Sequence, residues 1–349
     1  MSLDVTTHYG GLVLQSPIIV GACPLTAQER PRLAMEAAGA GAVVLPSLFE
    51  EQVLLAHARE GTFLSRSERL ILEHAKRMQM ESFCTDADVY LALVNRASGQ
   101  MSIPVIASLN GYTATNWVDF AGELQGAGAD AIELNLHHPP AGTYNCPREI
   151  EDAIVDTVAK INHSISIPVF VNLQREYTSP SHLACRLLSG VQGMVLFGRE
   201  PDIDICLDSL KLKPCWGLSE PQSVRHSLAA IMQVHSHCPA MPLGVSGGVH
   251  TPEDLIRALL AGGDAALLTA ALYREGPDVI RTLIDGLIRF MERHHWRSIA
   301  ELKVNRPLEF DSDEQRSIYM QALTSRFVEE HLHVGQRTMH GDRWGHPES

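Results

Sequence analysis

Short, almost wholly apolar runs alternate with amphipathic stretches along most of this chain. The runs at 17–22, 42–45, 103–109, 131–136, 169–173, 194–197, 242–245 and 265–269 are too short for buried helices and read as strands covered on both faces. Between them, helical patterns fall at 26–38, 117–124, 147–161, 182–188 and 221–234, after Pro252, and again at 285–296. Residues 3–14 alternate apolar and polar about Gly10-Gly11, a hairpin signal. One connection is long: 46–102 follows the second strand and carries helical patterns near 68–78 and 87–97.

A local rule recurs in EAAGAGAVVL, LQGAGADAIEL, LSGVQGMVLF and LLAGGDAALL: a helix ends, a glycine follows, and a strand begins at once. Glycine accepts the left-handed backbone that closes a helix. Eight apolar strands with intervening helices favour an α/β fold of the (β/α)8 TIM barrel type, here with an N-terminal β-hairpin and a long insertion after the second strand. An open doubly wound sheet is the alternative, weakened because no G-x-G-x-x-G follows the first strand. The barrel is expected over 1–334, and the polar stretch 335–349 reads as a disordered tail.

Composition narrows the classes. A net charge of -13 over 349 residues, without a local Lys/Arg run, argues against nucleic acid as a partner. No apolar stretch reaches the roughly 18 residues a membrane span needs, and the N-terminal stretch lacks a leader pattern, so a cytoplasmic protein is expected. The seven cysteines are scattered with no C-x-x-C, which indicates neither a zinc site nor an iron–sulfur cluster. A barrel hydrolase or aldolase would call for His/Asp clusters or a strand-end lysine, and neither pattern is found.

Chemistry in a barrel gathers where strands end. The segment MPLGVSGGVHTPEDLIRALLAGGDAALLTAALY, residues 241–273, reads strand, Gly247-Gly248 turn, helix with Thr251 as N-cap and Pro252 first, then strand. Backbone N–H groups at such a turn converge on an anion, and the last two barrel loops are a common phosphate site. Asn110, Asn135 and Asn172 stand at three other strand ends. An amide donates and accepts together, which suits the edge of a flavin-like or uracil-like ring; capping of turns is the plain alternative. Cys23 lacks a linked His or acid and reads as packing. Glu50 and Glu51 read as acids at a helix start, and His294-His295 as a solvated helix face.

The blocks SPIIVGACPLT, AGAVVLPSLFEEQ, IPVIASLNGYT, GADAIELNL, VLFGREPDID, GVSGGVHTPEDLIRALLAGGDAALLTAALYREGP and WRSIAELK resemble the dihydroorotate dehydrogenases, and among them a bacterial dihydroorotate dehydrogenase-like branch, over roughly residues 3–330. The resemblance implies an FMN-dependent oxidoreductase of pyrimidine (UMP) biosynthesis that oxidises dihydroorotate by proton abstraction and hydride transfer. It implies that Gly21 and Ala22 face one side of the flavin ring and that Ser47 lies at its edge. Asn110, Asn135 and Asn172 would stand beside ring or substrate, and Gly217, Ser219, Gly247, Gly248, Thr269 and Ala270 would hold the phosphate. The base, a Cys or Ser in typical members, falls on His138. Where typical members carry lysines, at the ends of strands two and five, this chain has Pro46 and Asn172, and Gly198 is a further departure. A small-molecule substrate is implied, with a homodimer or an electron-transfer subunit as the assembly, and no metal. The departures keep a second reading open: a catalytically degenerate barrel that binds a phosphate-bearing ligand or a partner protein.

Overall fold

The computed structural model describes residues 3–59, 61, 69, 71–73, 87–111, 117–136, 146–175, 177–199, 202–215, 217–307 and 312–324. The chain divides into a unit Met1–Leu308 and a unit Glu309–Ser349. The second unit contains the helix Ser312–Thr324; residues 335–349 lie outside the described residues.

In the first unit, β1 (Thr7–Tyr9) and β2 (Leu12–Leu14) form the hairpin. The barrel strands are β3 (Ile18–Val20), β4 (Ala42–Val44), β6 (Val105–Gly111), β7 (Ala131–Leu136), β8 (Val169–Leu173), β9 (Gly193–Leu196), β12 (Leu243–Ser246) and β13 (Ala265–Leu268). Each pairs in parallel with the next, and β13 returns to β3, so the sheet closes. The eight apolar runs are these eight strands, within a residue or two at each end.

Alternation sorts each strand into two faces. Ile132, Leu134 and Leu136 of β7 pack outward in the large core beneath the helices. Ala131 of β7 belongs instead to the barrel interior, with Ile19, Val44, Ile106, Phe170, Val195 and Leu267. The hairpin plugs the floor of that interior. Tyr9 stacks on Phe170 with ring centroids 4.6 Å apart, and its hydroxyl donates to the Met194 carbonyl at 3.3 Å. Gly244 makes the room: a Cβ there would stand 3.0 Å from the Tyr9 hydroxyl.

Differences from the sequence reading are local. The long connection opens with β5 (Leu48–Phe49), paired to β6, and the helix Glu50–Arg59, neither of which the periodicity marks. Glu50 and Glu51 occupy the first turn of that helix. The expected helix near 87–97 is Ala87–Gln100, whereas most of 68–78 lies outside the described residues. The loop expected after the sixth barrel strand holds an antiparallel hairpin, β10 (Asp202–Cys206) with β11 (Lys211–Cys215). The helix expected over 221–234 starts later, at Arg225–His237, because residues 221–224 form a turn. The last long helix is Asp278–Arg293 rather than 285–296. Among the described residues, no helix is long and apolar enough to cross a membrane.

Candidate active site

At the carboxyl end of the barrel the interior changes from apolar to polar. Above Ile106 on β6 come Ser108 and Asn110, above Ala131 on β7 come Glu133 and Asn135, and above Phe170 on β8 comes Asn172. The parallel register aligns Asn110 with Asn135 and Asn135 with Asn172, so the three amides stand side by side on adjacent strands. All three are half-buried, as are Ala22, Ser47 and Thr269 at neighbouring strand ends.

These groups are tied together. The Ser47 and Ser108 hydroxyls are 2.8 Å apart, and Asn135 Nδ2 donates to Ser108 Oγ at 2.9 Å. Glu133 Oε1 lies 3.5 Å from Asn135 Nδ2 and 3.4 Å from Asn172 Nδ2. Glu133 is buried, and burial pushes its carboxyl from the ordinary 4.5 up to about 7, against the two amide hydrogen bonds that lower it. Sequence reading missed Glu133; its signal was an acid in the middle of the apolar run AIELNL, at an inward position. Asn172 Oδ1 is buried and has no hydrogen-bond partner among the described residues. A Cβ on Gly198 would stand 2.7 Å from that oxygen, so the small residue at 198 makes room for the amide at 172.

Two strands of the ring approach closely at Gly21, whose N–H donates to the Leu268 carbonyl at 2.8 Å. A Cβ there would lie 2.6 Å from Thr269 Oγ1, so this wall must stay flat. Beyond it, Gly247 and Gly248 have φ of +90° and +76°. Open space lies beside Gly247, while a Cβ on Gly248 would stand 2.2 Å from the Val224 nitrogen. Val224 precedes the helix Arg225–His237, whose start has no side-chain cap. Gly248 N–H donates to Ser219 Oγ at 3.2 Å, and that hydroxyl lies 3.4 Å from His250 Nε2. His250 is buried, chiefly for that reason its pKa is lowered, and its Nδ1 lacks a partner among the described residues. Gly217 is exposed next to this loop, and Ala270 opens the helix Ala270–Glu275 after Thr269. Thr251 caps the helix Pro252–Leu260 in a full capping box with Asp254, which fixes the turn.

The structure therefore gathers Gly21, Ala22, Ser47, Asn110, Asn135, Asn172, Thr269 and Ala270 at one barrel end, with Ser219, Gly247 and Gly248 meeting beside them. His138 lies outside the described residues. Arg175 turns away: its guanidinium donates to the His226 carbonyl at 3.2 Å and to Ser227 Oγ at 2.6 Å. Cys23 is buried, with its thiol pushed up chiefly by desolvation, as suits packing. A cleft of about 680 Å³, lined by Pro252, Ile256, Arg257, Arg289, Phe290 and Arg293, lies between outer helices and not at the strand ends.

A flat glycine wall, an amide row and a glycine loop beside a helix start without a side-chain cap lie together, donors and acceptors of the kind that can meet a planar heterocycle and an anionic group. The profile of the family described as dihydroorotate dehydrogenase matches residues 64–291, more than half of the chain. The chain belongs to the dihydroorotate dehydrogenase family. It is 26% identical over 304 residues to the dihydroorotate dehydrogenase B (NAD(+)) catalytic subunit of Thermoplasma acidophilum, covering 86% of this chain and 97% of that protein. The corresponding subunit of Thermoplasma volcanium is 27% identical over 203 residues, 57% of this chain and 67% of its own. A dihydroorotate dehydrogenase A (fumarate) of Limosilactobacillus reuteri is 25% identical over 207 residues, 57% of this chain and 67% of that protein. Within this dihydroorotate dehydrogenase family barrel, Pro46 and Asn172 stand at the ends of the second and fifth barrel strands, and the carboxyl of Glu133 meets the amides of Asn135 and Asn172.

Proposed function

We propose that this chain is an FMN-dependent oxidoreductase that converts dihydroorotate, or a closely related cyclic amide, to the unsaturated ring, a step of pyrimidine (UMP) biosynthesis. The observation that carries the reading is the in-register row Asn110, Asn135 and Asn172 facing the flat wall at Gly21, beside the Gly247-Gly248 cradle. The residues fit FMN: Asn172 Oδ1 is a buried acceptor in want of an N–H, and open space lies beside Gly247 in the glycine turn. Gly247, Gly248, Ser219, Gly217, Thr269 and Ala270 would hold the phosphate, and Gly21, Ala22 and Ser47 would border the ring.

When bound, FMN supplies the acceptor for the hydride that leaves C6 of the substrate. The protein's part is positional and protonic. The amides of Asn110 and Asn135 donate to and accept from the alternating C=O and N–H groups of a cyclic amide, which fixes its orientation and replaces water at its edge. His138 is the base that takes the C5 proton, since an imidazole titrates near neutral pH. The relatives are named for different acceptors, NAD(+) in one group and fumarate in the other; a homodimer and an electron-transfer partner both fit the reading.

The experiment is direct. Purified protein should bind about one FMN per chain, show flavin absorbance, and be bleached by dihydroorotate under anaerobic conditions. A protein that cannot be loaded with FMN ends the reading. His138→Ala should slow bleaching by 10²-fold or more, in the range for loss of a general base. The replaced lysines and the histidine at the base position support a second reading, a barrel that binds FMN or another phosphate-bearing ligand without turnover. Bleaching by dihydroorotate at a useful rate excludes it.

A further inference from the structure

The polar layer at the barrel mouth rests on one acid. Glu133 stands one inward step below Asn135, level with Ser108 on one side and Phe170 on the other. No ion pair reaches it among the described residues. The groups that face it from other elements are Tyr9 of the floor hairpin and Tyr90 of the helix Ala87–Gln100. Both phenols are buried and held neutral, their pKa values raised chiefly by desolvation. Tyr90 is committed to the backbone of Ser108, donating to its carbonyl at 3.1 Å and accepting from its N–H at 2.9 Å. A buried carboxylate without a cation is costly, so such a group takes up a proton near neutral pH.

What the acid touches gives that proton a consequence. Asn172 turns Nδ2 inward to Glu133 Oε1 and leaves Oδ1 without a donor. This arrangement matches an ionised acid, which can only accept. A neutral acid carries an O–H that must donate, and the nearby amide oxygen can take it after a half-turn of the Asn172 side chain. The half-turn exchanges what Asn172 offers outward, from C=O to N–H. Gly198, with no side chain against the amide, leaves space for it.

We propose that Glu133 is a proton-holding positioning residue acting through Asn172: its charge state sets whether this wall offers the ring edge of the ligand an acceptor or a donor. The proposal rests on the flavin reading above for the identity of the ring. The proton comes from solvent and stays on Glu133; no electron moves on the protein. A ring that gains negative charge at this edge favours the neutral acid and the outward N–H, a neutral donor that answers part of that charge without a fixed cation.

The test uses the full chain, first without FMN. Infrared difference spectra between low and high pH should show a protonated-carboxyl band that disappears as pH rises through about 7 and is missing in Glu133→Gln. With FMN bound, the visible spectrum should shift with the same midpoint in the parent, and be flat with pH in Glu133→Gln and in Asn172→Ala. Asn172→Ala should keep the carboxyl band, so it carries the test should Glu133→Gln fail to fold. Glu133→Asp should restore a pH-dependent shift, which a purely structural role would not. An acid already ionised at pH 5 overturns the proposal, as does a flavin spectrum indifferent to the band's midpoint. A protein with the band that binds no FMN overturns the flavin reading, and with it the part of this proposal that concerns the ring.

Discussion

Two residues decide what the site can hold. Gly248 combines a φ of +76° with a Cβ position 2.2 Å from the Val224 nitrogen, so any side chain must push the loop off the helix start. Gly248→Ala should weaken FMN binding about tenfold or more, the scale of one lost charge-assisted hydrogen bond, measured by quenching of flavin fluorescence. Glu133 makes stability depend on pH with an unusual sign. Its folded pKa, about 7, exceeds the ordinary 4.5, so the folded state binds more protons in that window. Stability should be fully present below pH 4.5 and fall as pH rises toward 7, by on the order of 3 kcal/mol. Urea unfolding across that window measures it, and Glu133→Gln should remove this component.

Elements transmit these demands through close packing. The helix Asp278–Arg293 crosses the helix Pro252–Leu260 at Gly286, where an added Cβ would lie 2.2 Å from the Pro252 Cβ. Pro252 directly follows Thr251, the N-cap of the helix after the Gly247-Gly248 turn. Gly286→Ala should destabilise the protein by about 1–3 kcal/mol, read as a lower Tm, by forcing the two helices apart. The helix Ile299–Val304 locks the same region: Lys303 Nζ donates to Asp264 Oδ1 at 2.6 Å, while Asp264 Oδ2 accepts from the Leu243 N–H at 3.0 Å. Ser298 caps that helix by accepting from the Glu301 N–H, and the Glu301 carboxylate accepts from the Arg297 N–H just before it, which gives the sequence block WRSIAELK a structural meaning.

At the scale of the whole molecule, the barrel places the amide row, the glycine wall and the acid in one interior. None of the lysines, at 76, 160, 211, 213 and 303, falls on a barrel strand end. A fixed cation beside a flavin ring stabilises its reduced, anionic form. The FMN-loaded protein should therefore have a lower midpoint potential than lysine-bearing relatives, and Asn172→Lys should raise it; potentiometric titration of both checks this. The sequence by itself determined the eight strands, the floor hairpin and the glycine loop, because continuous apolar runs, alternation and glycine punctuation are local signals. It also marked the strand-end asparagines, since parallel strands of one barrel must end on one face. It could not show the hairpin Asp202–Cys206 with Lys211–Cys215, whose aliphatic residues are exposed and follow no burial pattern. Nor could it show that Glu133 meets the amides of Asn135 and Asn172, that Gly198 makes room for Asn172, or that Arg175 binds the next helix. Those facts depend on which residues of separate strands meet inside the closed barrel, and only closure fixes that register and the burial that governs the acid.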